Sequence, residues 1–244
     1  MLKKILLITL GVLLGGYIVF SVTYMNPKIN GNIECQNMKV EIARNSEISY
    51  LDENQIHSYL KQHKIDPIGR KMSEIDTDSI TNILNNNRLI KNAKVYKTIG
   101  GTLKVEIFQK TPILRIMSEK GNYYVDNEGE IMPIPAGFAA YVPLATGNIS
   151  EEYAKNQLFD FAQFLQKNKF WDSQIEQIHV NSKLDIELVP RVGNHYIILG
   201  KIEDYKENLT KLKLFYDKGL NKVGWNKYSV INLKFKDQVV CTKR

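Results

Sequence analysis

An uncharged run from Ile5 to Pro27, preceded by Lys3 and Lys4 and followed by sequence of water-soluble character, constrains this chain more than any other feature. At about 1.5 Å per residue, a helix from Ile5 to Met25 is long enough for the roughly 30 Å hydrocarbon layer of a bilayer, and no second run of this kind follows. The expectation is a single-pass membrane protein anchored by residues that include Ile5, Leu6, Leu7, Leu13, Leu14, Ile18 and Phe20. Two lysines ahead of the span place the short tail (with the span, residues 1–27) in the cytoplasm and the bulk of the chain outside it. The rival reading is a secretion signal removed after export. Against it, the apolar run is longer than a usual signal core, and Ser21-Val22-Thr23 stands beside bulky Tyr24 and Met25 where cleavage needs small residues.

The remainder has the composition of folded protein. The whole chain has 244 residues, 43% hydrophobic and 24% charged, which leaves room for two modest domains after the anchor. Its net charge of +7 is spread without a Lys or Arg tract, which speaks against a nucleic-acid partner and suits a place beside an anionic bilayer. Two cysteines, Cys35 and Cys241, exclude a disulfide-dense scaffold. Two free thiols are expected, since a bridge would require the ends of the soluble part to meet.

Along the chain, residues 28–37 read as a connector, with Asn30 and Gly31 unsuited to helix. Met38 to Ile42 alternates as a strand does. Asp52-x-x-Gln55 then opens a helix with Ile56, Tyr59, Leu60 and His63 on one face, and Asp76, Asp78 and Ser79 open another with Ile80, Ile83 and Leu84 inward. Ala93–Lys97 and Leu103–Ile107 alternate on either side of Gly100-Gly101, a strong hairpin signal. Residues 38–108 thus read β-α-α-β-β, the order of a POTRA domain.

Residues 109–244 read as a second, mostly antiparallel β domain with two helices, one from Glu151 to Asn168 and one from Ile202 to Tyr216. Ala154, Leu158, Phe161 and Leu165 form a core stripe on the first. Strand patterns fall at Ile175–Val180, Leu184–Val189 and Tyr196–Leu199, and the chain closes on alternation from Val230 to Val240. The acidic turn Asp126-Asn127-Glu128-Gly129 lacks the glycine placement of a calcium loop and reads as a plain turn. The fold class is α+β.

No catalytic constellation emerges. His57, His63, His179 and His195 have no metal-ligand spacing, and HExxH, GxSxG, Walker A and GxGxxG are absent. Glu151-Glu152 sit at a helix start, where the helix dipole accounts for them. No cofactor, metal or small-molecule substrate is expected.

The ordered series of landmarks resembles the FtsQ/DivIB family of bacterial cell-division proteins. The β-α-α-β-β module is followed by Thr111-Pro112-Ile113-Leu114-Arg115-Ile116, Tyr124-Val125-Asp126-Asn127-Glu128-Gly129, and Val142-Pro143-Leu144 with Gly147. Tyr196-Ile197-Ile198-Leu199-Gly200 then precedes the helix carrying Lys211-Leu212, and Val230–Phe235 closes the series. Two departures stand out: Gln109-Lys110 where the family usually has Glu-Arg, and Asn232 and Lys234 where it tends to have Asp and Arg.

The resemblance implies a non-enzymatic scaffold of the inner membrane at the division septum, with its bulk outside the cytoplasm. The POTRA-like domain would recruit divisome proteins, and the terminal strand would accept an FtsB/DivIC-like chain paired with an FtsL-like chain. Trp225, Tyr228, Ile231, Leu233, Lys234 and Phe235 are the candidate contacts, with Phe235 either an aromatic anchor or an inward core residue. From pattern alone the terminal segment reads as an ordinary last strand protected by its lysines, and it is the resemblance that reverses this reading. The competing function is a membrane-tethered hydrolase of the cell wall, which would require a cavity holding a nucleophile and a base.

Overall fold

The computed structural model describes residues 2–25, 33–43 and 49–244, with side chains of the first helix described over 10–21. That helix, α1, runs Leu2–Met25. Among the described residues no helix is long and apolar enough to cross a membrane. The side chains of Ile5, Leu6 and Leu7, Pro27 at the end of the anchor segment, and connector residues 28–32 lie outside them. Leu13, Leu14, Ile18 and Phe20 are all more than half exposed.

The chain divides into two compact units. The first comprises Met1–Glu41, Glu53–Leu84 and Ala93–Ile107; the second comprises Ile42–Asp52, Asn85–Asn92 and Phe108–Arg244. Among the described residues the named strands form two sheets, one of three strands and one of nine.

The small sheet has the order β1 (Asn37–Ala43), β3 (Thr102–Gln109), β2 (Ile90–Lys97). Helices α2 (Glu53–Gln62) and α3 (Thr77–Asn85) lie between β1 and β2 in sequence, so the order is β-α-α-β-β as expected. Asp76 sets the start of α3: its Oδ1 accepts from the backbone N–H groups of Asp78 and Ser79 at 3.0 and 3.2 Å, satisfying amides that a helix leaves unpaired. The Ser79 hydroxyl hydrogen bond holds the Asp76 carboxyl below its ordinary range. Ile56 and Leu60 of α2, Ile80 and Leu84 of α3, and Leu103, Val105 and Ile107 of β3 are buried. His63 is exposed, its ring 4.4 Å from that of Tyr59. Gly101 turns the β2–β3 hairpin at φ +73, where a side chain would meet the Glu34 carbonyl at 2.9 Å.

The nine-stranded sheet is mixed but mostly antiparallel. Its strands are β4 (Pro112–Ser118), β5 (Gly121–Asp126), β6 (Ile131–Met132), β7 (Leu144–Gly147), β8 (Ile175–Val180), β9 (Asp185–Pro190), β10 (Tyr196–Lys201), β11 (Tyr228–Asn232) and β12 (Val240–Lys243). Across the sheet the order is β12-β11-β10-β9-β8-β7-β4-β5-β6, with parallel pairing at β10–β11, β7–β8 and β4–β7.

The first expected helix is α4 (Glu151–Tyr153) passing through a π turn, Ala154–Leu158, into α5 (Phe159–Lys167). Its stripe of Ala154, Leu158, Phe161 and Leu165 is fully buried. A further helix, α6 (Lys169–Gln174), was not expected; the side chain of Asn168 accepts from Phe170 N and Trp171 N and so starts it. The last helical run is longer than its pattern suggests: a 3-10 turn, Ile202–Asp204, then α7 (Tyr205–Phe215), a π turn, Tyr216–Leu220, and α8 (Asn221–Val223).

The C-terminus departs most from expectation. The alternation from Val230 to Val240 is two strands and a turn rather than one strand: β11 ends at Asn232, the backbone reverses through Asp237 at φ +57, and β12 returns antiparallel with Asn232 opposite Val240. Period-two alternation reports which face a side chain takes and carries no information about a reversal.

Candidate interaction surface at the end of the sheet

Because β11 pairs with β10 on one side and with β12 on the other, the edge left unpaired among the described residues belongs to β12 and not to the segment around Phe235. Val240 on that edge is 43% exposed, whereas Cys241 packs against the core and burial pushes its thiol pKa up.

The turn between the two strands is held by polar contacts. Lys211 Nζ of α7 donates to the carbonyls of Leu233 and Phe235 at 3.0 and 3.1 Å, and Leu233 N donates to Ile198 O at 2.9 Å. Lys234 N donates to the Asn232 side-chain oxygen at 3.0 Å. Lys234 Nζ reaches Asp185 Oδ2 at 2.8 Å, and Lys201 reaches the other oxygen at 3.1 Å. The Lys234 hydrogen bond, helped by that of Lys201, holds the Asp185 carboxyl below its ordinary range. Fixed in this way, the turn leaves the Phe235 side chain 49% exposed. Phe235 is therefore no inward core residue.

Beside the turn lies a groove of about 730 Å³ lined by Thr210, Leu214 and Phe215 of α7, Gly219, Gln238 and Val239. Asp237, Gln238 and Val239 carry the groove from the turn to the start of β12, whose outer edge pairs with no other strand among the described residues. Main-chain pairing with a strand and a pocket for its side chains is what strand addition requires.

The expected contacts are distributed unevenly over it. Ile231 and Leu233 are fully buried and belong to the core, so, contrary to expectation, their side chains face the interior and not a partner. Trp225 and Tyr228 are packed against that core: the Trp225 ring lies 4.8 Å from that of Tyr216 and its N–H donates to Asn221 at 3.1 Å, while Tyr228 lies 6.0 Å from Phe215. Lys234 is committed to Asp185. Of the six, Phe235 presents the most apolar surface. Val239, Leu214 and Phe215 line the groove without being among the expected contacts, and Leu214 and Phe215 interrupt the inward stripe of their helix, a signal legible in sequence.

A second cluster explains one departure from the family pattern. Gln109 is buried, and its Oε1 accepts from the backbone N–H groups of Tyr50 and Leu51 at 3.1 and 3.0 Å, a role a carboxylate would fill equally. Lys110 Nζ lies 2.9 Å from Oδ2 of Asp126, whose Oδ1 accepts from Glu128 N and Glu130 N. Among the histidines, His195 is buried with Nε2 3.0 Å from the Tyr216 hydroxyl, and burial lowers its pKa.

Two family models match the chain. One, described as FtsQ/DivIB, C-terminal related, covers residues 111–242; the other, described as POTRA-like domain, covers residues 33–108. No curated protein matches it.

Proposed function

Because this chain belongs to the FtsQ/DivIB family, whose C-terminal model covers more than half of it, we propose that it is a non-enzymatic scaffold of the bacterial divisome. The family match supports a role in cell division. The observation that carries the finer reading is the surface formed by β12, the Phe235 turn and the adjoining groove, which has the features of a strand-accepting site and none of a catalytic one. On this reading an FtsB/DivIC-like chain, paired with an FtsL-like chain, adds a strand to β12 and places an apolar side chain in the groove. The POTRA-like domain recruits other divisome proteins.

The same reading makes α1 a membrane anchor that holds the bulk of the chain on the extracytoplasmic side of the inner membrane. Val12, Leu13, Leu14, Tyr17, Ile18 and Phe20 are each more than half exposed along the uncharged run that follows Lys3 and Lys4 in α1, a surface that water disfavours and lipid accepts. Nothing in the family matches or among the described residues favours the cell-wall hydrolase.

Depletion of the protein in its native bacterium tests the proposal. Filaments without septa are expected, rescued by the full chain and not by a chain lacking residues 240–244. Normal septation under full depletion would overturn it.

A further inference from the structure

The first unit is clasped around the point at which the chain enters it. Cys35 N donates to Arg70 O at 2.8 Å, Gly69 N to Cys35 O at 2.9 Å, and Met72 N to Ile33 O at 2.8 Å, so the loop around residue 69 pairs with one side of the entering segment. On the other side Gln36 N donates to Gly101 O at 3.0 Å, and Gly101 is packed so closely on Ile33 that a side chain there would sit 2.9 Å from Ile33 Cγ2. The tip of the β2–β3 hairpin and the residue-69 loop therefore flank the entering chain.

Each of these two loops exposes an isoleucine: Ile99 at the hairpin tip is 79% exposed and Ile68 is 43% exposed. Hairpin tips are ordinarily built from Gly, Asn, Asp and Ser, so a bare isoleucine beside Gly100-Gly101 serves no turn chemistry. Seven residues, 26–32, separate the end of α1 from Ile33, a span of roughly 28 Å at most at about 3.5 Å per residue. The end of the unit bearing both isoleucines is therefore tethered within reach of the membrane boundary where α1 would emerge.

Resting on the proposal that α1 is a membrane anchor, we infer that this end of the first unit lies on the bilayer, with Ile99 and Ile68 entering the boundary between headgroups and acyl chains. Arg70, Lys71 and Lys97 at this end are offset by Glu34, Asp66 and Glu74, with Lys71 already 3.8 Å from Glu74, so the contact is apolar and not electrostatic. Two isoleucines suffice because the tether keeps them at high local concentration against the surface. The contact fixes the orientation of the POTRA-like unit relative to the membrane.

The full chain reconstituted into vesicles of phosphatidylethanolamine and phosphatidylglycerol, with and without brominated acyl chains, tests this. In the Ile99→Trp variant the added tryptophan should emit at shorter wavelength than in detergent and lose about half of its emission to brominated lipid. High salt should leave that loss unchanged. In a Tyr141→Trp control, at a position 77% exposed in the second unit, quenching should not exceed that of the native tryptophans. Retention of the chain on vesicles through an alkaline carbonate wash reads the anchor separately. A retained chain whose tryptophan at 99 stays unquenched overturns the contact and leaves the anchor standing. A chain washed off the vesicles overturns both, and quenching abolished by salt overturns an apolar contact.

Discussion

At one end of the nine-stranded sheet, β6 contributes only Ile131 and Met132, and the turn before it is tied down: Lys110 to Asp126 at 2.9 Å, Lys155 to Glu130 at 2.9 Å and Lys91 to Glu128 at 2.7 Å. At the other end, β12 is four residues long, carries the exposed Val240, and adjoins a groove and an exposed phenylalanine. Edge strands are liabilities that proteins blunt by shortening them and surrounding them with charge. One edge here is blunted and the other is less so, a difference in keeping with the strand-accepting role proposed for β12.

The largest effect is expected at the blunted end. Lys110→Met leaves Asp126, whose side chain is 1% exposed, with an uncompensated charge, and breaking a buried pair in this way costs about 3–5 kcal/mol. The midpoint of thermal unfolding should fall by roughly 6–20 °C, with partner affinity unchanged in protein that is still folded. Stability within error of wild type would show that the β6 end is not braced as described.

Removal of residues 240–244 is expected to weaken binding of the FtsB–FtsL pair by about a hundredfold, near 2.7 kcal/mol, while circular dichroism shows the fold retained. Phe235→Ala should weaken the same binding by about tenfold, in keeping with an aromatic anchor that is only half exposed, and should scarcely move thermal stability. By contrast Ile131→Ala at the other edge should leave the affinity alone. Equal losses from both edges would remove the distinction between them.

The smallest effect concerns the Asp185 contact that holds the turn. With its folded pKa lowered, Asp185 contributes stability that is full above the ordinary carboxylate range and is lost as pH falls through the lowered value. Lys234→Met should therefore cost ~1 kcal/mol or less at neutral pH, and its unfolding curve should converge with that of wild type in acid. A difference that persists at low pH would assign the loss to packing and not to the ion pair.

The first unit was readable because its signals are local: Asp76 caps α3, Gly101 turns the hairpin, and β3 buries every second residue. The second unit was readable in its elements but not in their pairing. Parallel neighbours such as β4 and β7, with Arg115 opposite Leu144, are set by packing between distant segments, and alternation does not name a strand's neighbour. Asn168 ends one helix as its pattern suggests, and the same side chain also caps the next, which no periodicity announces. The closing segment reads as one strand in sequence and is two in the structure, because the turn at Asp237 interrupts a pattern that runs on smoothly in sequence.

Amide hydrogen exchange on the full chain, alone and with the FtsB–FtsL pair, tests the open edge most directly. Protection is expected to rise at 240–243 on binding, through new main-chain hydrogen bonds, with residues 131–132 unchanged. Protection gained at 131–132, or binding with no change at 240–243, would contradict the assignment of β12 as the strand-accepting edge.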